Sequence, residues 1–198
     1  MFIVNPGKVR AQNLTELAAE VSASPMQHSF AISGLGTSPH LGAEAFRLRV
    51  AKDILIVPYR GTGPAVNDVV GGQVTMMVVS PLAAMQLVRG GKLRALAVTS
   101  PRRFEGIPEV PTTEEAGMKD FVFMNSYGFW GPKGLPEDFV ARTNALMRQV
   151  SENPEIRRRL LDLGVTAIWE TPEAFANHAQ SEFQTNSRIY LQAGVKPE

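Results

Sequence analysis

Short apolar runs alternate with amphipathic stretches through the first half of the chain. The apolar runs predict strands at residues 2–4, 30–32, 54–57, 74–79 and 93–98. The stretches between them carry apolar residues at helical spacing. Because near-continuous apolar strands are typical of sheets that are covered on both faces, the alternation predicts an α/β fold with a doubly wound parallel sheet.

Capping residues indicate where two of the helices begin and where one of them ends. Asn13 stands three residues before Glu16, which is the spacing of a capping box. Ser80 precedes Pro81, and proline is favoured in the first turn of a helix. Gly90 follows this second stretch and is expected to end its helix.

The second part of the chain has a different pattern, which begins near residues 121–131. Residues 121–130 form a long extended stretch that is followed by a Gly-Pro pair. After it the spacing of apolar residues predicts helices, with one further strand at residues 165–169. We therefore divide the chain into two parts, residues 1–120 and residues 121–198.

The most informative feature is a unit of strand, small-residue turn and helix that occurs twice in succession. The first turn spans residues 33–40 and the second spans residues 58–65. Free backbone N–H groups and the helix dipole make each helix N-terminus attractive to an anion. Ligands of such sheets bind beyond the carboxyl ends of the strands, where both turns lie. The two turns therefore predict a cleft that binds a negatively charged small molecule.

Side chains in both turns extend this prediction. Ser33 and Thr37 offer hydroxyl groups in the first turn. In the second turn, Gly61 and Gly63 let the backbone approach a ligand closely. Tyr59 offers a hydroxyl group and a flat face, or it packs as an ordinary aromatic residue at the end of a strand.

Other interpretations of the turns stay open. A dinucleotide-binding loop would need a third glycine in the first turn, where Pro39 stands. A nucleophile turn with Ser33 and His40 as partners lacks the G-x-S-x-G arrangement. The second turn lacks the Lys-Ser/Thr ending of a nucleotide-hydrolysing loop. A tight connection that binds no ligand is the last interpretation.

Composition narrows the function classes further. The 198 residues include 20 Lys and Arg against 19 Asp and Glu, so the chain has no strong overall positive potential that would attract nucleic acid. Cysteine is absent and the three histidines are scattered, so we expect no metal site, and no pair of residues suits acid–base catalysis. We expect no signal peptide in residues 1–6, because they lack a basic region and a long apolar run, and no apolar run is long enough to span a bilayer.

Several motifs together resemble one known family. Ser-Gly-Leu-Gly-Thr-Ser-Pro-His occupies residues 33–40, and Tyr-Arg-Gly-Thr-Gly-Pro-Ala occupies residues 59–65. Further matches lie at residues 71–74, 91–99, 110–117 and 128–132. In these runs the chain resembles the Bug family, the periplasmic solute receptors of tripartite tricarboxylate transporters. The motifs occur in the family's order and spacing and cover essentially the whole chain.

The resemblance implies a fold, a function and a set of ligand-binding residues. The fold is the two-lobed, type II periplasmic-binding-protein fold, the Venus flytrap. The function is capture of small organic carboxylates in the periplasm for membrane permease subunits, without catalysis or a cofactor. The implied ligand-binding residues are Ser33, Gly34, Gly36, Thr37, His40, Tyr59, Gly61, Thr62, Gly63, Pro64, Ala65, Ser80 and Ser126.

One departure from the family concerns the start of the chain. Family members begin with additional sequence that builds most of the first lobe. We therefore expect residues 1–120 to form the complete second lobe, and residues 121–198 to form the crossover strand and the C-terminal helical part of the first lobe. Apolar pairs such as Phe139/Leu146 would then be exposed and favour self-association. The alternative function is a sensor or interaction domain that takes no part in transport.

Overall fold

A computed structural model describes residues 1–194 of the chain and divides it into two compact units. The sheet unit comprises residues 1–125 together with the described residues from Ile189 onward. The helical unit comprises residues Ser126–Arg188. Among the described residues, none of the helices combines the length and the apolar composition needed to cross a bilayer.

Strands and helices alternate in the sheet unit as the apolar pattern predicts. In chain order its elements are β1 (Phe2–Val4), α1 (Leu14–Ala23), a 3₁₀ turn (Pro25–Gln27), β2 (Ser29–Ile32), α2 (Ser38–Arg49), β3 (Leu55–Pro58), α3 (Thr62–Gly71), β4 (Met76–Val78), α4 (Pro81–Arg89) and β5 (Arg94–Ala97). The helical unit contains α5 (Glu137–Glu152), α6 (Pro154–Asp162) and most of α7 (Pro172–Ala193), whose last residues belong to the sheet unit.

The five strands form one mixed sheet in the order β3-β2-β4-β1-β5. β2 pairs in parallel with both β3 and β4, as predicted for a doubly wound sheet. β1 departs from this arrangement because it runs antiparallel to its two neighbours, β4 and β5. Neither neighbour follows β1 directly in the chain, so the alternation of strands and helices does not fix its direction.

The core of the sheet unit is built around a cluster of phenylalanine rings. The Phe2 ring lies 5.6 Å from Phe30, 5.1 Å from Phe46 and 5.7 Å from Phe121, measured between ring centroids. All four side chains are fully buried. The cluster joins β1, β2 and α2, and it therefore fixes the strand ends and the helix that carry the first glycine turn.

The helical unit differs from the sequence-based expectation in one element. The predicted strand at residues 165–169 is wrong, because this segment forms no strand in the structure. A strand requires a paired neighbour, and here the polar groups bond elsewhere. The Val165 amide donates to the Leu160 carbonyl at 2.8 Å, and the Trp169 indole N–H donates to Asn144 at 3.2 Å.

Several apolar side chains of the helical unit are exposed, as the sequence predicts. Phe139 and Leu146 on α5 are 48% and 60% exposed, and Phe183 on α7 is 67% exposed. Phe175 is half-buried, because its ring packs 4.6 Å from the Trp130 ring.

Candidate functional site

The two glycine turns lie side by side at the carboxyl ends of β2 and β3. The parallel register pairs Ile32 with Pro58, so the two strands end at the same level. Beyond the strands, the Tyr59 amide donates to the Ile32 carbonyl at 2.9 Å. The Gly61 amide then donates to the Ser33 carbonyl at 3.1 Å. The N-termini of α2 and α3 therefore lie next to each other.

The first turn is closed by its own hydroxyl groups. The Thr37 hydroxyl donates to the Gly34 carbonyl at 2.7 Å, and the Ser33 hydroxyl donates to Thr37 Oγ1 at 3.3 Å. Gly34 has a φ of 142°, a conformation that side chains disfavour. Within residues 1–194, the backbone amides of Thr37 and Ser38 have no hydrogen-bond partner. These two amides are available to an acceptor from outside the protein.

The second turn presents a comparable pair of amides at the start of α3. Gly61 precedes the helix with a φ of 106°, and no side chain caps the N-terminus of this helix. No group in the described part of the chain accepts a hydrogen bond from the amides of Thr62 or Gly63. Pro64 has no amide hydrogen, so it leaves no further donor unsatisfied. A Cβ built at Gly61 or Gly63 would meet no atom within 4 Å, so the space in front of this turn is open.

Tyr59 is tied to the helix that it precedes. Its hydroxyl donates to Asp68 Oδ2 at 2.7 Å. Burial, with the hydrogen bond and the negative charge of Asp68, raises the pKa of Tyr59 to about 12. The phenol is therefore neutral at physiological pH, and its oxygen can still accept a hydrogen bond.

His40, in the first turn of α2, is buried and bonds to the backbone of the first glycine turn. Its side chain is only 3% exposed. Nδ1 accepts a hydrogen bond from the Gly36 amide at 3.1 Å, and Nε2 lies 3.5 Å from Glu44 Oε1. Burial lowers the pKa of His40, while the Glu44 carboxylate opposes this effect. Glu44 is itself buried and bonds to Arg47 at 2.7 Å.

Tyr190, near the end of α7, also contacts the first turn, although it belongs to none of the sequence motifs. Its hydroxyl donates to the Thr37 carbonyl at 2.9 Å, across 153 positions of sequence. Its ring lies 5.4 Å from the His40 ring. No spacing or motif links the end of α7 to this turn, so the sequence contains no signal for the contact.

Ser80 and Ser126 lie in different surroundings. Ser80 follows β4 at the same edge of the sheet as the two turns, because β4 is parallel to β2. Its hydroxyl oxygen caps α4 by accepting from the Leu82 amide at 3.3 Å. Ser126 belongs to the helical unit, where its hydroxyl lies 3.2 Å from both carboxylate oxygens of Glu182. The sheet unit thus brings together the two turns and Ser80.

A known protein family matches almost the whole chain. The model of the tripartite tricarboxylate transporter family receptor matches residues 1–195. The chain belongs to this receptor family. The family and the periplasmic-binding-protein fold predicted from the sequence are thereby confirmed.

Individual members of the family show the extent of the similarity. A UPF0065 protein in the tcbD–tcbE intergenic region of Pseudomonas sp. (strain P51) is 36% identical over 96% of this chain and 57% of that protein. The structure of the periplasmic binding protein BugD is 30% identical with a TM-score of 0.86, over 100% of this chain and 66% of BugD. MatC from Rhodopseudomonas palustris with bound malate is 28% identical with a TM-score of 0.78, over 96% of this chain and 65% of MatC. The chain thus spans less than two thirds of the length of each of these relatives.

Proposed function

We propose that this chain is the ligand-binding part of a solute receptor that captures small organic carboxylates without catalysis. The observation that carries the proposal is the pair of adjacent helix N-termini whose amides, at Thr37, Ser38, Thr62 and Gly63, have no hydrogen-bond partner within residues 1–194. A carboxylate accepts several hydrogen bonds at once and is favoured at a helix N-terminus. The structure of the related MatC contains malate, which is a small dicarboxylate, and this supports the same ligand class.

The remaining candidate residues complete the proposed site. The Ser33 and Thr37 hydroxyls shape the first turn, and Tyr59 and Ser80 border the same edge of the sheet. Ser126, which lies in the helical unit, stays a ligand-binding residue predicted from the sequence alone. The proposed partners are the membrane permease subunits of the transporter, in the periplasm, because the family is named as a transporter receptor and BugD is a periplasmic binding protein.

Self-association through α5 and α7 stays a prediction of the sequence. The exposed Phe139, Leu146 and Phe183 side chains support it, because exposed apolar clusters often mark interaction surfaces. Light scattering over a range of protein concentrations tests it. A monomer at the highest concentration would contradict it.

Calorimetric titration with malate tests the binding function. Two variants at one position isolate the contribution of a backbone amide. Thr62→Ala removes the hydroxyl and keeps the amide, whereas Thr62→Pro also removes the amide hydrogen at a helix position that tolerates proline. A hydrogen bond to a charged group contributes about 1.5–3 kcal/mol, so Thr62→Pro should bind at least about tenfold more weakly than Thr62→Ala.

A neutral ligand completes the design. The diol of the same carbon length as malate should not bind, because it lacks the negative charge that the helix N-termini favour. If no carboxylate from two to six carbons binds the unmodified chain, the receptor proposal fails and the interaction-domain alternative gains support. Equal binding by the two Thr62 variants would exclude the α3 amide from the site.

A further inference from the structure

Two side chains form hydrogen bonds with the backbone of the first turn. His40 Nδ1 accepts from the Gly36 amide at 3.1 Å, and the Tyr190 hydroxyl donates to the Thr37 carbonyl at 2.9 Å. The two rings lie 5.4 Å apart. The turn is thus fixed at two consecutive residues, one through its amide and the next through its carbonyl.

The bond to Gly36 defines the protonation state of His40. An imidazole nitrogen that accepts a hydrogen bond carries no proton, so the proton of neutral His40 resides on Nε2, which faces Glu44 at 3.5 Å. A second proton on Nδ1 would oppose two donors, the imidazolium N–H and the Gly36 N–H. The turn and a protonated His40 therefore cannot keep their present geometry together.

The charged and titratable groups around His40 come from two elements. On α2, Glu44 favours the imidazolium while Arg47, which is bonded to Glu44, disfavours it. On α7, the packed neighbour is Tyr190, whose pKa burial raises to about 12. Burial is the largest effect on His40 and lowers its pKa from the ordinary value of 6.5. The neutral form is thus favoured at neutral pH, and the protonated fraction rises as the pH falls.

We propose that His40 and Tyr190 are positioning residues of the carboxylate site, and that protonation of His40 loosens the first turn so that binding weakens in acid. This inference rests on the proposed function, because it assumes that the amides of Thr37 and Ser38 bind the ligand. Neither residue touches the ligand in this arrangement. The two side chains act by keeping the turn in the conformation that presents those amides.

Variants at His40 separate the hydrogen bond from the titration. His40→Asn keeps an oxygen acceptor near the position of Nδ1 but does not titrate, whereas His40→Leu removes the acceptor. Tyr190→Phe removes only the hydroxyl. The matched control is His28→Gln, because His28 is also buried and also lies near a glutamate, Glu20, at 3.8 Å, but it contacts neither turn.

Malate binding is measured by calorimetry between about pH 8 and pH 5. Because malate itself titrates in acid, the measured quantity is the affinity of each protein relative to His40→Asn at the same pH. This ratio should fall several-fold between pH 8 and pH 5 for the unmodified chain and for His28→Gln. His40→Leu and Tyr190→Phe should bind several-fold more weakly at pH 8. A constant ratio, or tighter binding of the unmodified chain in acid, would overturn the proposal.

A second measurement needs no ligand. In NMR spectra, the Gly36 amide resonance should shift with the same midpoint pH as the His40 ring, and in His40→Asn it should not shift over this range. If the unmodified chain binds no carboxylate of two to six carbons at any pH while the two midpoints agree, the proposed function fails and the coupling stands. If the Gly36 amide ignores His40 titration, the coupling fails whatever the chain binds.

Discussion

Gly63→Ala separates the proposed binding role of the second turn from its role in folding. Gly63 is the second residue of α3 and has no atom within 4 Å of an added Cβ. Its φ is not in the positive range that side chains disfavour. Because alanine restricts the unfolded chain more than glycine does, the variant should gain about 0.4–1 kcal/mol of stability.

Binding should change in the opposite direction. The Cα–Cβ bond of a helical residue tilts toward the helix N-terminus, so the new methyl group would stand beside the free amides of α3. A carboxylate that is pushed away from the Gly63 amide loses a charge-assisted hydrogen bond of about 1.5–3 kcal/mol. This loss corresponds to a weakening of malate binding by about 10- to 150-fold.

Gly71→Ala is the matched control for this experiment. Gly71 is the last residue of the same helix, and it also has open space around an added Cβ and an ordinary φ. Eight residues along a helix amount to about 12 Å, so its methyl group lies far from the turn. Urea unfolding should show no loss of stability in either variant, and calorimetry should show weaker binding only for Gly63→Ala. Equal affinities would refute the placement of a ligand at the N-terminus of α3.

The remaining predictions concern stability. Asn13→Ala should cost about 1 kcal/mol, because the Asn13 side chain caps α1 by accepting from the Glu16 amide at 2.9 Å; Gln12→Ala is the control in urea unfolding. Gly42→Ala should cost about 1–3 kcal/mol, because its Cβ would lie 3.0 Å from that of Val78, and unchanged stability would show that α2 can shift from β4. Tyr59→Phe should lower stability by about 1 kcal/mol through the lost bond to Asp68. Since the pKa of Tyr59 is raised from 10.0 to about 12, this difference should be full below pH 10 and disappear as the pH rises through 12.

The strands and helices of the sheet unit could largely be predicted, because each depends on a short stretch of neighbouring residues. Each strand is an apolar run, and helix ends carry recognisable residues such as Asn13 and Ser80, both of which cap as expected. The positions of the two glycine turns follow from the same pattern. That they lie side by side follows from the adjacency of two consecutive parallel strands, which is common in α/β sheets.

The contacts that His40 and Tyr190 make with the first turn could not be predicted from the sequence, because they depend on packing between distant residues. The sequence identifies His40 as a member of the motif but does not show that its ring is buried between Gly36 and Glu44. Nothing local distinguishes Tyr190 from any other tyrosine near the end of a helix. The strand expected at residues 165–169 fails for a related reason, since an apolar run becomes a strand only where a neighbour pairs with it.

The chemistry of the two turns also bears on how tightly such a site should bind. Free amides come from both helix N-termini, among them those of Thr37, Ser38, Thr62 and Gly63, and a carboxylate offers about four lone-pair positions on its two oxygens. Each helix N-terminus carries about half a positive charge, so the two together balance one carboxylate without a lysine or arginine. The interaction of a helix dipole with an anion is screened by salt, so affinity for malate should fall as the salt concentration rises. Under the proposed function, a receptor that must deliver its ligand would gain from this arrangement, because several moderate hydrogen bonds can be broken one after another.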